Sequence, residues 1–345
     1  MSTRSHQLEQ VFSDDTYQLT GVAISKDGRL FACYPLWPGP HKYDVVEILP
    51  NNQVKPYPDE QWNSWKEGDD GKSKWVCVQA VYVDDENYLW VVDPACVYME
   101  QVYDNSFKLV KFNLATNSIE EVYRFDGVLS SKSYINDVRV DTRRKVAYLT
   151  NMNEGGIVVV NLETGKSREL LRNHYSVKHD PAFKLVVDGK EFKKKGKPVH
   201  LHSDGIALTP DGEWLYYKPL TDNKLYRIRT EALRNEELPE DELEAAVEDL
   251  GTFAVTDGMI FDPAGNLYQG DYQHYKMVRI TPELKQEDVV ADEMLIWPDS
   301  YSISADGYLY ISCSQINKQP DYNEGENKRT TPYAIYRMKL PVAKI

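Results

Sequence analysis

The sequence predicts an all-β protein: a six-bladed β-propeller with four-stranded antiparallel blades and one acidic surface helix near residues 230–250. Three observations carry this. Short apolar, β-rich runs recur in pairs, and each pair is joined by a tight polar turn, which reads as a hairpin. The pair occurs six times, and most copies are followed by room for two more strands, the signature of a propeller blade. Twenty-four tyrosines and seven tryptophans add to a composition that favours strands over helices.

Taken in order, the first repeat is GVAISKDGRLFACYP (21–35), turning at Lys26-Asp27-Gly28, with YDVVEIL (43–49) and NQVKPYP (52–58) as its outer strands. The second is VCVQAVYVDDENYLWVVD (76–93), followed by FKLVKFNL and SIEEVYRF. The third is INDVRVDTRRKVAYLTN (135–151), followed by GIVVVNL and KSRELL. The fourth runs from Ser203 to Arg229 and turns at Pro210-Asp211-Gly212. The fifth is TDGMIFDPAGNLYQGDY (256–272) and the sixth PDSYSISADGYLYISCS (298–314). The sixth has a third strand, YAIYRMKL (333–340), but no fourth after it. LEQVFSD (8–14) is expected to supply that strand and close the ring. Closure is obligatory, because a single blade cannot bury both its faces. The whole chain, 1–345, then reads as one propeller domain.

Residues 230–250 break the pattern. They are acidic and rich in helix formers, with apolar residues at Leu243, Ala246, Val247 and Leu250, and Pro239-Glu240-Asp241 suits a helix start. The basic turn Lys193–Lys195 reads as a solvated hairpin tip, and WPGPHKY (37–43) as a loop near one channel mouth.

With 54 acidic and 40 basic residues, the formal charge is −14. That lacks the basic footprint of a nucleic-acid surface. No apolar run approaches the length of a membrane span. The N-terminal segment lacks the apolar core of a signal peptide, no glycosylation sequon occurs, and the four cysteines form no Cys-x-x-Cys. A cytoplasmic protein with reduced, buried thiols is expected. No phosphate-binding glycine loop, dinucleotide fingerprint or nucleophile elbow is present, so no nucleotide cofactor is expected.

In a propeller the inner strands converge on a central channel, so residues just before them line one mouth. Here these are Gln79, Asn136, Asp137, Asp204, Asp257 and Asp299. Carboxylates gathered on one channel repel one another, so at least one must take up a proton or a cation. An oxygen-only set suits Ca²⁺ or Mg²⁺ rather than zinc. His202 stands beside Asp204 with a side chain suited to general-base work near neutrality. Tyr134, Tyr272, Trp297 and Tyr301 flank the same entrances, either to hold a flat ligand or to pack between blades.

The chain resembles the yellow / major royal jelly protein family. The carriers are PYPDEQWNSW (56–65), LWVVDPA (89–95), INDVRVD (135–141), residues 203–235, and WPDSYSISADGYLYIS (297–312). The resemblance implies a six-bladed propeller and points to an intracellular, bacterial-type relative, because the animal members' signal peptide and sequons are missing. More distantly the chain resembles gluconolactonase/regucalcin-like propellers, which hold a divalent metal on the channel axis. Position by position, that resemblance implies metal ligands at Asn136, Asp137, Asp204 and Asp257, while Gly21 stands where a glutamate is expected.

Two functional readings follow. In the first, the protein is an enzyme on a small molecule, a lactonase-like hydrolase or an isomerase/tautomerase, with Asp204, Asp257 and His202 catalytic. Gln79, Tyr134, Trp297, Asp299 and Tyr301 would bind the ligand, with or without a divalent metal. In the second, the same channel binds a small aromatic amine or metabolite without catalysis.

Overall fold

Why the repeats form a ring is visible in how each inner strand is buried. The computed structural model describes residues 8–341, and inner strands such as Gly21–Ile24 and Ser203–Leu208 are buried almost throughout. Residues 1–7, the start of the segment considered above as a leader, and residues 342–345 lie outside them. Six four-stranded antiparallel sheets form the blades. Their innermost strands are Gly21–Ile24, Ala80–Val83, Ile135–Asp141, Ser203–Leu208, Met259–Phe261 and Pro298–Ile303. These six contact one another in sequence, and the last contacts the first, so the ring is closed.

Each inner hairpin turns on one residue in the left-handed region: Gly28, Asn87, Lys145, Gly212, Gly265 and Gly307. Four glycines and one asparagine fit that geometry without strain, and Lys145 is the exception. The core lies between blades, where apolar faces of adjacent sheets meet, as in the cluster joining Ala147, Leu149 and Val158 to Trp90, Val92 and Leu109.

The N-terminal strand closes the ring as expected. Glu9–Asp14 pairs antiparallel with Tyr333–Lys339 as the outer strand of blade six. Phe12 is buried against Leu19, Val22 and Ile335, and Arg337 forks onto the Glu9 carboxylate at 2.8 and 3.0 Å.

The expected helix over 230–250 is corrected. Two short helices form, α1 (Thr230–Arg234) and α2 (Glu240–Ala245), and Glu248–Thr252 is the outer strand of blade four. Asn235 ends α1, and Pro239, which has no N–H to donate, precedes α2. The last residues leave the helical path because the blade needs a fourth strand against Lys224–Arg227. Leu243 still buries toward the core, with Ala246 and Val247 against it.

Cys33, Cys77, Cys96 and Cys313 are buried and unpaired. Among the described residues no helix is long and apolar enough to cross a membrane.

Truncation through residue 15 removes a complete outer strand. It should lower the melting temperature by several degrees in a thermal scan; an unchanged transition would show that the closure contributes nothing.

Candidate functional site

Gln79, Asn136, Asp204, Asp257 and Asp299 occupy one place in successive blades, just before an inner strand or at its second residue. Two local features aim them at the axis. The pairing of inner and second strand shifts register between Ile135 and Val138, between Ser203 and Ile206, and between Pro298 and Tyr301. Such a bulge re-aims the side chains at the irregularity, here Asn136, Asp204 and Asp299. The glycines that follow Asp204 and Asp257 allow close approach: a Cβ on Gly205 would lie 2.4 Å from the Asp257 carbonyl oxygen, and one on Gly258 the same distance from that of Asp299. The Asp-Gly pairs thus draw adjacent inner strands together.

The result is a cluster of buried carboxyls. Asp204 is 1% exposed, and Asp257 and Asp299 are each 5% exposed. All line one small cavity of about 10 Å³ with Gln79, Asn136 and Asp137, room for about one water molecule. Asn136 Nδ2 donates to Asp204 Oδ1 at 2.5 Å. Trp297 Nε1 donates to Asp257 Oδ2 at 2.7 Å. Tyr134 donates to Gln79 Oε1 at 2.7 Å. Asn136 Oδ1 and Asp299 Oδ2 have no hydrogen-bond partner among the described residues.

Burial pushes the Asp204 carboxyl well above the usual carboxylate range, and the charges of Asp257 and Asp299 push it further. Burial also raises Asp257, to about 7, although the Trp297 and Asp204 hydrogen bonds oppose that rise. Asp299 is held high by burial and by Asp257. Asp204 and Asp257 share a hydrogen bond that favours the proton on Asp204 and the charge on Asp257. Near neutrality the pair therefore holds one proton on Asp204, with Asp257 poised between its two forms.

Two positive groups, missed in the sequence, stand close. Arg139 Nη1 is 2.9 Å from Asp137 Oδ1 and plugs the channel below the cluster. Asp137 and Arg139 are two apart on one strand and so share a face, a signal that was available. Lys218 is fully buried and, among the described residues, donates only to the carbonyls of Asp222 and Ala254, at 2.7 and 3.1 Å. Burial lowers its ammonium to about 8, against the pull of Asp222 and then Asp204.

The donor chemistry would suit a hard cation, but the arrangement does not fit one. Asn136 turns its N–H toward Asp204, Trp297 occupies Asp257 Oδ2, and Arg139 occupies Asp137 Oδ1. Gly21 brings no donor, and among the described residues no three His, Cys, Asp or Glu side chains are grouped to hold a metal.

The mouth is roofed. Phe192 stacks on Tyr322 (centroids 4.5 Å apart, planes at 18°) and leans on Trp297 at 5.4 Å. Trp37, Met99, Ile316 and Gln319 complete the cover over a space of about 20 Å³ that reaches Asp204 and Asp257. The basic turn is therefore part of a double hairpin, Val186–Val187 with Lys190–Glu191 and Lys193–Lys194 with Lys197–Pro198. Its tip is solvated, but Phe192 is a buried anchor. Asp188 fastens the hairpin by accepting from Asn317 Nδ2 at 2.9 Å, from Lys318 Nζ at 2.7 Å and from the Tyr275 hydroxyl.

Three expected residues sit elsewhere. His202 does not line either cavity; its Nδ1 accepts the His179 backbone N–H at 3.1 Å, and burial lowers its imidazole to about 4. Tyr301 packs between blades and donates to the Pro298 carbonyl. Tyr272 stacks behind Trp297 at 3.9 Å and bonds the Leu220 carbonyl, bracing that indole rather than facing the cavity.

Fold and site together define a six-bladed propeller with an acidic, roofed channel end. The chain belongs to the major royal jelly protein family, whose model matches residues 76–341. It is 27% identical to major royal jelly protein 7 of Apis mellifera over 206 residues, covering 55% of this chain and 42% of that protein. It is 25% identical to protein yellow of Drosophila melanogaster over 230 residues, covering 62% of this chain and 41% of that protein. The chain thus spans less than half of each of these relatives. Among solved structures, a gluconolactonase from Xanthomonas campestris superposes with a TM-score of 0.60 at 11% identity, over 97% of this chain and 90% of that one. A virginiamycin B lyase from Staphylococcus aureus superposes at 0.54 with 13% identity, over 98% of this chain and all of the other. At such identities these likenesses describe the fold alone.

Replacing Asp188 with Ala removes a charged acceptor that contributes about 1 kcal/mol or more, so tryptic cleavage at Lys193–Lys197 should quicken about fivefold. An unchanged rate would mean that the roof is held by other contacts.

Proposed function

We propose that the protein is a small-molecule enzyme of the isomerase/tautomerase or lactone-opening type that moves protons at the roofed mouth. Phe192 and its neighbours must swing aside there to admit a substrate, because the covered space is only about 20 Å³. One observation carries the reading: Asp204 and Asp257 are buried together, hydrogen-bonded, and pushed to opposite roles, an acid and a base. In a tautomerisation, Asp257 takes a proton from the substrate while Asp204 delivers its own to the carbonyl oxygen, and the two roles then exchange. In a lactone opening, Asp257 takes a proton from water as the oxygen attacks the carbonyl carbon, and Asp204 protonates the leaving oxygen. Gln79, its Oε1 held by Tyr134, keeps its amide N–H groups for a ligand. No metal is required in either sequence, and EDTA should leave turnover unchanged. The fold-level likeness to propellers named as a gluconolactonase and a lyase is consistent with this reading but is analogy only.

The roof favours a second reading. Once displaced to make room, Phe192, Tyr322, Trp37 and Trp297 over carboxyls would also hold a small aromatic amine without turnover. The two readings part on catalysis, since a binding protein would bind such amines yet turn over neither lactones nor enolisable ketones.

Asp204→Asn and Asp257→Asn should each reduce turnover at least about a hundredfold. Wild-type activity should rise through pH about 7 as Asp257 ionises and fall at higher pH as Asp204 loses its proton. Retained activity in both variants would overturn the assignment.

The same groups cost stability. Because the folded-state affinity of Asp257 for its proton is raised, the unfolded chain binds fewer protons between pH about 4 and 7, and stability falls across that window as pH rises. Asp257→Asn should therefore be more stable than wild type at pH 8, by about 1 kcal/mol or more, and gain little at pH 4. Equal stabilities at both pH values in urea unfolding would contradict the raised proton affinity.

A further inference from the structure

The opposite end of the channel is open. A basin of about 660 Å³ lies there, formed by the far ends of all six inner strands. That volume is within the usual range for small-molecule sites, whereas the roofed mouth holds about 20 Å³. We propose that this basin is a binding site for an organic monocarboxylate with a compact apolar body. The inference is independent of the acid–base reading of the other mouth.

Arg139 supplies the recognition. Its side chain is 7% exposed and forms the floor. Nη1 donates to Asp137 and the Val138 carbonyl, and Nη2 to the Met259 carbonyl, but Nε has no partner among the described residues. A buried guanidinium N–H without an acceptor is costly, and a carboxylate answers it by geometry and charge. The Tyr82 ring lies under the guanidinium at 5.2 Å and lines the same floor.

The walls choose the rest of the ligand. Leu208, Ile260, Phe261 and Ile303 present partly exposed apolar surface to the basin. Asp137 pairs with the arginine from behind, whereas none of the acids that line the basin is hydrogen-bonded to it; each accepts elsewhere. Asp84 accepts from two backbone N–H groups and from Trp90 Nε1. Asp141 accepts from Arg144, and Asp262 from the backbone and side chain of its own turn. Asp85 accepts from Thr142.

Isothermal titration of the full chain with 3-phenylpropionate tests this, with the neutral 3-phenylpropionamide as control. Saturable one-site binding is expected, with the amide at least about tenfold weaker. Arg139→Gln should cost about tenfold or more, and so should Ile303→Glu, which sets a charge on the wall without touching Asp137 and remains a test if the arginine variant fails to fold. Asp257→Asn, at the other mouth, should still bind the acid. The proposal is overturned if no saturable binding occurs, if acid and amide bind alike, if Ile303→Glu binds as wild type does, or if Asp257→Asn abolishes binding.

Discussion

Three carboxyl groups buried about one axis cannot all be ionised, and much of the channel is arranged around that constraint. Asp204, Asp257 and Asp299 are nearly sealed from water, where like charges repel strongly. The relief is distributed. A proton stays on Asp204, Trp297 and Asn136 donate hydrogen bonds, and Arg139 neutralises Asp137 just below. Lys218 stands behind Gly205 and adds a positive field without forming an ion pair with the cluster. A site built this way resists folding at neutral pH, so the rest of the ring must hold it.

What holds it is the closure of the propeller. Glycines at 205 and 258 let inner strands approach until carbonyl and Cα nearly touch, and bulges in three blades turn the polar side chains inward. Neither device works in an isolated blade, because each needs its neighbour in place. The Glu9–Asp14 strand therefore matters to a cluster far from it. Its exposed ion pair with Arg337 contributes little, whereas the completed sheet and the buried Phe12 keep blades six and one in register.

Much of this was legible in the sequence. The repeated strand–turn–strand units gave the blade count, and one recurring position gave Gln79, Asn136, Asp204, Asp257 and Asp299. The misses have physical causes. The sequence around Phe192 looks like a polar hairpin because its partners, Tyr322 and Trp297, are over a hundred residues away. His202 neighbours Asp204 in sequence, yet the bulge that turns Asp204 inward leaves the imidazole to cap the His179 backbone. Residues 248–250 continue the acidic run that reads as a helix, and the open edge of blade four makes them part of a strand.

The central claim is that one carboxyl of the Asp204–Asp257 pair stays protonated at neutral pH. Infrared difference spectroscopy with isotope-labelled aspartate measures this directly. The account predicts neutral-carboxyl carbonyl absorption at pH 7 that titrates away only at higher pH, with one component of it, that of Asp204, missing in Asp204→Asn while the Asp257 and Asp299 components remain. If every aspartate is already ionised at pH 5, the shared proton does not exist and the acid–base account fails.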